Sequence, residues 1–286
     1  MKSVNEISTL AVIGAGTMGQ GIAQIAAMAG YKTMLFDIEA EATTRGMQII
    51  EKNLRKGIEK GKVTNAQLET TMGNLSVVNN LEEVIADFII EAIVERLDIK
   101  QQVFSTLERV NNEDTIFASN TSSIPITQIA SQLQYPGRFV GMHFFNPAHI
   151  MKLVEVISGA ATDSHTTQIT TDLAKKLGKV AVSAKDSPGF IVNRVARHFY
   201  VESLKVLEEG VCDVEGIDKL IKSSGFKMGP FELMDLIGVD TNFSVTSSMF
   251  DSFHQDEKFR PSRIQQQKVD AGHHGRKSGK GFYDYN

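Results

Sequence analysis

His143 and Glu155 stand twelve positions apart in the segment RFVGMHFFNPAHIMKLVEVI, Arg138 to Ile157. Two apolar stretches flank the turn-like Asn146-Pro147. If they fold back as antiparallel strands around a loop centred near His149, His143 and Glu155 fall opposite each other, being equidistant from that centre. A buried histidine beside a carboxylate can act as a general base. The carboxylate fixes the imidazole tautomer and stabilises the imidazolium that forms when a proton is taken. Oxidation of an alcohol needs such a base, because the hydroxyl proton must leave as hydride departs. On spacing alone the pair stays open, since a single histidine near a strand end more often serves structure than chemistry.

A second constellation says what could accept the hydride. Gly14-Ala-Gly16-Thr17-Met18-Gly19 reads G-x-G-x-x-G between an expected strand and an expected helix. Gly14 permits the tight turn, Gly16 lets backbone approach a pyrophosphate, and Gly19 lets the helix pack against the sheet. The helix start, with Thr17 and Met18, offers unpaired N–H groups and a positive dipole end to phosphate. Asp37 ends the next strand, 18 residues after Gly19. A carboxylate there accepts from a ribose 2′-hydroxyl and repels a 2′-phosphate, which points to NAD rather than NADP.

The elements that must hold these residues follow from the hydrophobic pattern. Leu10–Ile13, Thr33–Phe36, Phe88–Ile90 and Thr115–Ala118 read as short buried strands. Helices are expected over Gly21–Ala29, about Glu39–Lys60, and near Leu97–Val110. Strand and helix in alternation imply a parallel sheet covered on both faces. From Ser187 onward the pattern turns helical. Ser187-Pro188 resembles a capped start, and Ile191, Val195, Phe199 and Leu207 recur at near-helical spacing. Further helices are expected over Val214–Ser223, Phe231–Ile237, Gly238–Phe253 and Pro261–Val269. The fold class is therefore α/β. A Rossmann-like doubly wound sheet domain occupies residues 1–186, and an all-α C-terminal domain occupies residues 187–286.

Composition narrows the partners. The 286 residues carry a formal charge of −4, which argues against general nucleic-acid or anionic-membrane binding. Cys212 is the single cysteine, so neither a disulfide framework nor a cysteine metal cluster can form within the chain. His273 and His274 are adjacent in a glycine-rich tail and do not make a metal site. The N-terminus lacks the layout of a signal peptide, and no apolar run is long enough to span a bilayer. A cytoplasmic enzyme without a metal is the expectation.

Several motifs then agree with one family. Asn120-Thr-Ser-Ser123, His143-Phe-Phe-Asn-Pro147, Met151-Lys-Leu-Val-Glu155 and Asp186-Ser-Pro-Gly-Phe-Ile-Val-Asn-Arg194 resemble the L-3-hydroxyacyl-CoA dehydrogenase family. Met228-Gly-Pro-Phe231 and the tail Gly275-Arg-Lys-Ser-Gly-Lys-Gly-Phe-Tyr283 fit as well. The resemblance covers nearly the whole chain in the same order, and the length is similar to that of the short-chain bacterial members that act on 3-hydroxybutyryl-CoA. It implies reversible NAD-dependent oxidation of a 3-hydroxyacyl-CoA to a 3-ketoacyl-CoA, in a homodimer. It also implies His143 as base, Glu155 as its acidic partner, Ser122 on the substrate's 3-oxygen and near the nicotinamide, and Asn193 on the substrate's oxygens. Glu95, Lys100, Asn120, Asn146 and Lys277 match positions that contact the dinucleotide. Lys56 and Lys60 match the basic helix that meets coenzyme A, although the group Arg55, Lys56, Lys60 and Lys62 also reads as a solvated helix face.

The acyl pocket is not legible in these motifs. A dicarboxylic substrate such as 3-hydroxyadipyl-CoA is the nearest alternative, with a free hydroxy acid beside it. A nucleotide-binding protein that has lost catalysis is the alternative from another class, and retention of Ser122, His143, Glu155 and Asn193 together speaks against it.

Overall fold

Strand β1 (Thr9–Ile13) runs through the middle of the first unit. Successive side chains alternate across a sheet, so Leu10 and Val12 enter one face and Ala11 and Ile13 the other, all buried. A strand sealed on both sides is an unbroken apolar run, which is why it is readable in the sequence. The structure, a computed structural model, describes residues 3–285. The chain divides between Ser187 and Pro188, one residue on from the boundary read in the sequence.

After β1 come helix α1 (Thr17–Met28), β2 (Lys32–Phe36), α2 (Ala40–Glu59), α3 (Asn65–Gly73), β3 (Leu75–Val78), β4 (Phe88–Glu91), α4 (Leu97–Val110), β5 (Ile116–Ser119), α5 (Ile126–Ala130), β6 (Phe139–Phe144), β7 (Leu153–Ser158), α6 (Ser164–Lys176) and β8 (Val180–Lys185). One eight-stranded sheet has the order β3-β2-β1-β4-β5-β6-β7-β8. All neighbours are parallel except β6 and β7. Ile22, Ala23 and Ala26 of α1, Ile50 and Leu54 of α2, and Ile169 and Leu173 of α6 pack with Leu10, Val12, Ile90, Ala118 and Val156. Phe104 of α4 meets Phe117 and Phe139 edge-on, with ring centres 6.1 and 4.6 Å apart. Each fully buried aromatic or aliphatic side chain contributes about 1.5–3 kcal/mol. This is the doubly wound α/β sheet expected.

The second unit is helical: α7 (Val192–Glu208), α8 (Val214–Ser223), α9 (Pro230–Ile237), α10 (Val239–Ser252) and α11 (Arg263–Asp270). Its core holds Tyr200, Leu204, Ile217, Phe231 and Met234. Helix α7 starts later than Ser187-Pro188 suggested. Gly189 and Phe190 take φ of +73° and +51°, a left-handed pair that no helix can pass through. Asn193 is therefore the second residue of α7. Among the described residues no helix is long and apolar enough to cross a membrane.

Two buried aspartates tie the unit together. Asp218 accepts from Phe231 N (3.0 Å) and Glu232 N (2.9 Å) at the open start of α9, and from the Tyr283 hydroxyl (2.8 Å). Asp235, 1% exposed, accepts from Phe282 N, Tyr283 N and the Tyr285 hydroxyl at 2.9–3.0 Å. A Cβ on Gly281 would lie 2.1 Å from Asp235 Oδ1, so only glycine lets the tail come this close. Burial and the two carboxylates push the Tyr283 and Tyr285 hydroxyls upward, Tyr285 to about 12. Asp235→Ala leaves three donors without their acceptor. We expect a loss of about 2–4 kcal/mol, read as a lower Tm by circular dichroism; an unchanged Tm would remove Asp235 as the anchor of the tail.

Candidate active site

The candidate residues of the first unit come from the carboxyl ends of parallel strands, where doubly wound sheets bind ligands, and from the β6–β7 hairpin. At the end of β1, Gly14 has φ of +101° and its missing Cβ would lie 2.6 Å from the Ala92 carbonyl oxygen. A Cβ on Gly19 would come within 1.7 Å of the Gly14 carbonyl oxygen. These two glycines are required by packing. Gly16 differs, because nothing lies within 4 Å of where its Cβ would be. No side chain caps α1 at Gly16, so Thr17, Met18 and their neighbours open a helix whose first N–H groups face no protein cap. Open space above uncapped helix N–H groups is what a pyrophosphate requires. Asp37, at the end of β2, accepts from Ala15 N (2.7 Å) and Glu39 N (3.0 Å). An ionised carboxylate has about four acceptor positions, and two such bonds leave room for ribose hydroxyls.

The His143–Glu155 pair forms in the register read from the sequence. β6 and β7 are antiparallel with His143 paired to Glu155. His143 Nδ1 lies 2.7 Å from Glu155 Oε2. Both are buried, at 5% and 1% exposure. The carboxylate selects the tautomer with the proton on Nδ1, which puts the lone pair on Nε2. The Phe145 ring sits 4.6 Å from the imidazole, tilted against it. Beyond β6 the chain turns through a cis Asn146-Pro147 bond. Lys179, buried at the start of β8, holds that turn by donating to the Ala148 and Met151 carbonyls at 2.5 and 2.8 Å. Burial pushes the Lys179 ammonium down, and burial and Lys179 together lower the nearby His149. The exposed Asn146 projects from this fixed turn.

The loop after β5 is shaped by a second ionic group, Glu91, Lys100 and Glu95, of which the sequence did not single out Glu91. Glu91 ends β4 and is fully buried. It accepts from Lys100 Nζ (2.6 Å), Ser119 Oγ (2.6 Å) and Ile93 N (2.7 Å). Lys100 also lies 3.2 Å from Glu95. Glu95 Oε1 in turn accepts from Thr121 Oγ1 (2.6 Å), Ser122 N (3.0 Å), Ser123 N (3.1 Å) and Ser123 Oγ (3.0 Å). Partial burial alone would raise the Glu95 carboxyl. The Lys100 charge and the Thr121 and Ser122 hydrogen bonds outweigh it and hold the group below the usual carboxylate range. Lys100 was expected against the dinucleotide. At 1% exposure, with two carboxylates on its ammonium, it supports Glu95 and acts on the loop through it. Glu91 could have been noticed as the one acid in the apolar strand FIIE. Asn120 Oδ1 accepts from Phe144 N at 2.8 Å, tying the Ser122 loop to the histidine strand.

Lys56 and Lys60 lie on the exposed side of α2, Lys60 as its last cap. Lys56 lines a shallow hollow of about 410 Å³ with Lys52, Arg55 and Glu51. Asn193 and Lys277 belong to the helical unit. The Lys277 ammonium is paired with Asp240 at 2.7 Å; partial burial alone would raise the Asp240 carboxyl, and the Lys277 hydrogen bond and charge outweigh it and hold the group below its ordinary range. Among the described residues no group of three or more His, Cys, Asp or Glu could hold a metal ion.

Comparison with known proteins agrees with this arrangement. Residues 9–187 match the 3-hydroxyacyl-CoA dehydrogenase NAD binding domain, and residues 189–285 match the C-terminal domain of the same family. The chain is 46% identical over 98% of its length to the 3-hydroxyadipyl-CoA dehydrogenase of Escherichia coli, of which it spans only 59%. It is 44% identical to the probable 3-hydroxybutyryl-CoA dehydrogenase of Bacillus subtilis, with 98% of each chain covered. The crystal structure of (S)-3-hydroxybutyryl-CoA dehydrogenase from Ralstonia eutropha superposes with a TM-score of 0.95 at 37% identity, covering 98% of this chain and 100% of that one. With both of its units matched in order, the chain belongs to the 3-hydroxyacyl-CoA dehydrogenase family, and its first unit is that family's NAD-binding domain.

Proposed function

We propose that the protein reversibly oxidises the 3-hydroxyl of a short-chain L-3-hydroxyacyl-CoA, represented by 3-hydroxybutyryl-CoA, to the 3-ketone. The observation that carries this reading is the sealed His143–Glu155 pair at 2.7 Å, set in a family of hydroxyacyl-CoA enzymes. NAD, when bound, supplies the hydride acceptor. His143 Nε2 takes the hydroxyl proton as the hydride leaves C3, and Glu155 stabilises the imidazolium that results. The Ser122 hydroxyl and the Asn193 amide hold the reacting oxygens. Glu95 keeps the Ser122 loop in place, while Gly14 to Gly19, Asp37, Asn120, Asn146 and Lys277 hold the dinucleotide. Lys56 and Lys60 meet the phosphates of coenzyme A. The homodimer rests on the family resemblance alone.

The first test is oxidation of NADH with acetoacetyl-CoA, run beside NADPH and beside free acetoacetate. Turnover is expected only with NADH and the thioester. No turnover despite measurable NADH binding would overturn the short-chain reading. His143→Gln should lower kcat by about 10²–10⁴-fold with NADH affinity unchanged, and Glu155→Gln should lower kcat and alter its pH profile. Near-normal turnover in either variant would remove that residue from the mechanism.

Gly16→Ala tests the cofactor cradle separately. Its Cβ meets nothing in the protein, so Tm should hold while NADH binding weakens by about tenfold or more. Unchanged affinity, measured by fluorescence titration, would place the pyrophosphate elsewhere.

A further inference from the structure

The Ser122 hydroxyl has no protein partner among the described residues; only the Ser122 N–H is engaged, with Glu95. That oxygen therefore stands where the loop backbone puts it. The near half of the loop is accounted for by Asn120 on Phe144 N and by the gathering of Thr121, Ser122 and Ser123 on Glu95. Past Ser123 the next hold on the chain is Thr121 Oγ1, which accepts from Ile124 N at 2.9 Å. Pro125 follows and has no N–H to give. The far end of the loop needs another anchor.

Helix α5 opens at Ile126 with no capping side chain from Pro125 before it. Its cap comes from far along the chain. Asp186 Oδ1 accepts from Ile126 N (3.0 Å), and Asp186 Oδ2 accepts from Thr127 N (2.8 Å) and Thr127 Oγ1 (2.6 Å). A carboxylate there meets two unpaired N–H groups and the positive end of the helix dipole. Asp186 follows β8 directly and is fixed in turn, its own N–H donating to the Ser158 carbonyl at 3.0 Å. Thr127 Oγ1 also accepts from Ala160 N at 3.0 Å. Room is left for this docking. A Cβ on Gly141 of β6 would lie 2.7 Å from Ile126 Cδ1, and one on Gly159 would lie 3.1 Å from Ile126 Cγ2. A single helical turn has little stability of its own. What one carboxylate with three bonds fixes here is the direction in which the chain leaves the Ser122 loop.

We propose that Asp186 is a positioning residue for the oxidation: by capping α5 it fixes the far end of the loop, and with it the Ser122 hydroxyl. The inference rests on the proposed contact of Ser122 with the substrate's 3-oxygen. Asp186 is also the last residue but one of the first unit. One side chain thus ties the Ser122 loop to the point where the chain leaves the sheet.

The test is a double-mutant cycle in the full-length protein, read as kcat with NADH and acetoacetyl-CoA. Asp186→Ala should lower kcat by about tenfold, because a displacement of about 1 Å at a reacting group can cost up to about 10²-fold. In a Ser122→Ala background the same change should cost less than about twofold, since a residue that acts through another has nothing left to act on. Thr127→Val removes one of the three bonds and should give a smaller loss, which Thr127→Ser restores; this pair covers the case in which Asp186→Ala does not fold. Full kcat in Asp186→Ala, or the same fold-loss with and without the Ser122 hydroxyl, would overturn the proposal and make Asp186 a strut for α5. Full kcat in Thr127→Val beside an unfolded Asp186→Ala would overturn it too. Wild-type turnover in Ser122→Ala alone would remove Ser122 from the proposed mechanism, and this inference with it, while leaving the parent activity standing. No turnover by the unmutated protein would overturn both.

Discussion

Everything at the candidate site depends on giving one carboxylate a partner where water hardly reaches it. Glu155 is 1% exposed, and a buried carboxylate is stable only if its charge is met by donors. The imidazole of His143 at 2.7 Å is such a donor, and the reversal of β7 against β6 puts it there. In a parallel pair the bonds slant and residues are offset. In the antiparallel pair, His143 and Glu155 face each other directly across the sheet. The one antiparallel step in an otherwise parallel sheet is thus the feature that creates the His143–Glu155 pair. It also demands a short return, Phe145 to Lys152, and the structure holds that return with Lys179 on two of its carbonyls.

The Ser122 loop is held by the same physics with the charges reversed. Here a buried lysine is shared between two glutamates, one sealed and one partly open. Glu91 fixes the Lys100 ammonium from below, which leaves Glu95 with enough positive field to stay ionised while accepting four bonds from three consecutive loop residues. A single acceptor atom that gathers Thr121, Ser122 and Ser123 restricts the loop more than bonds to scattered partners would, because displacing any one of them strains the others. The geometry of Ser122 is therefore set by residues at the roots of β4 and α4 rather than by its own contacts.

What could be read from the sequence follows burial and symmetry. β1, β2, β4 and β5 are apolar runs because the sheet seals them, and the His143–Glu155 register is legible because the two residues are equidistant from one turn. The edges were not legible. β8 leaves Val180 and Val182 exposed at 57% and 39%, and β3 is equally open, so neither carries a buried run. α6 was missed for a different reason. Its SHTTQITTDLAKK is rich in threonine, which disfavours helix, yet Thr167, Thr170 and Thr171 turn their hydroxyls back onto carbonyls four residues earlier and spend their polarity inside the helix. Ser187-Pro188 misled in the opposite direction. It has the residue types of a helix start, but the left-handed Gly189 and Phe190 that follow are set by tertiary packing that no capping rule reports. Lys100 was expected at the dinucleotide from the family resemblance alone, and its two acidic neighbours, which no motif reports, account for its burial.

The C-terminal tail shows how one motif can mix two demands. Gly275, Gly281, Phe282 and Tyr283 answer to Asp235 and Asp218. Gly275 lets the tail pass close to the Asp235 backbone and Gly281 lets it pass close to the Asp235 carboxylate, and Phe282 packs with its ring centre 4.8 Å from that of Phe231. Lys277 answers to neither aspartate. It sits exposed on the same turn, paired with Asp240. An ion pair at half-exposed side chains is worth little, so that contact gives way easily to a stronger anion, whereas the buried aspartates cannot release the tail without stranding several donors. The firm part of the motif thus positions a loosely held cation, and the stability of the helical unit and the placement of one candidate ligand contact come from the same eleven residues, Gly275 to Tyr285.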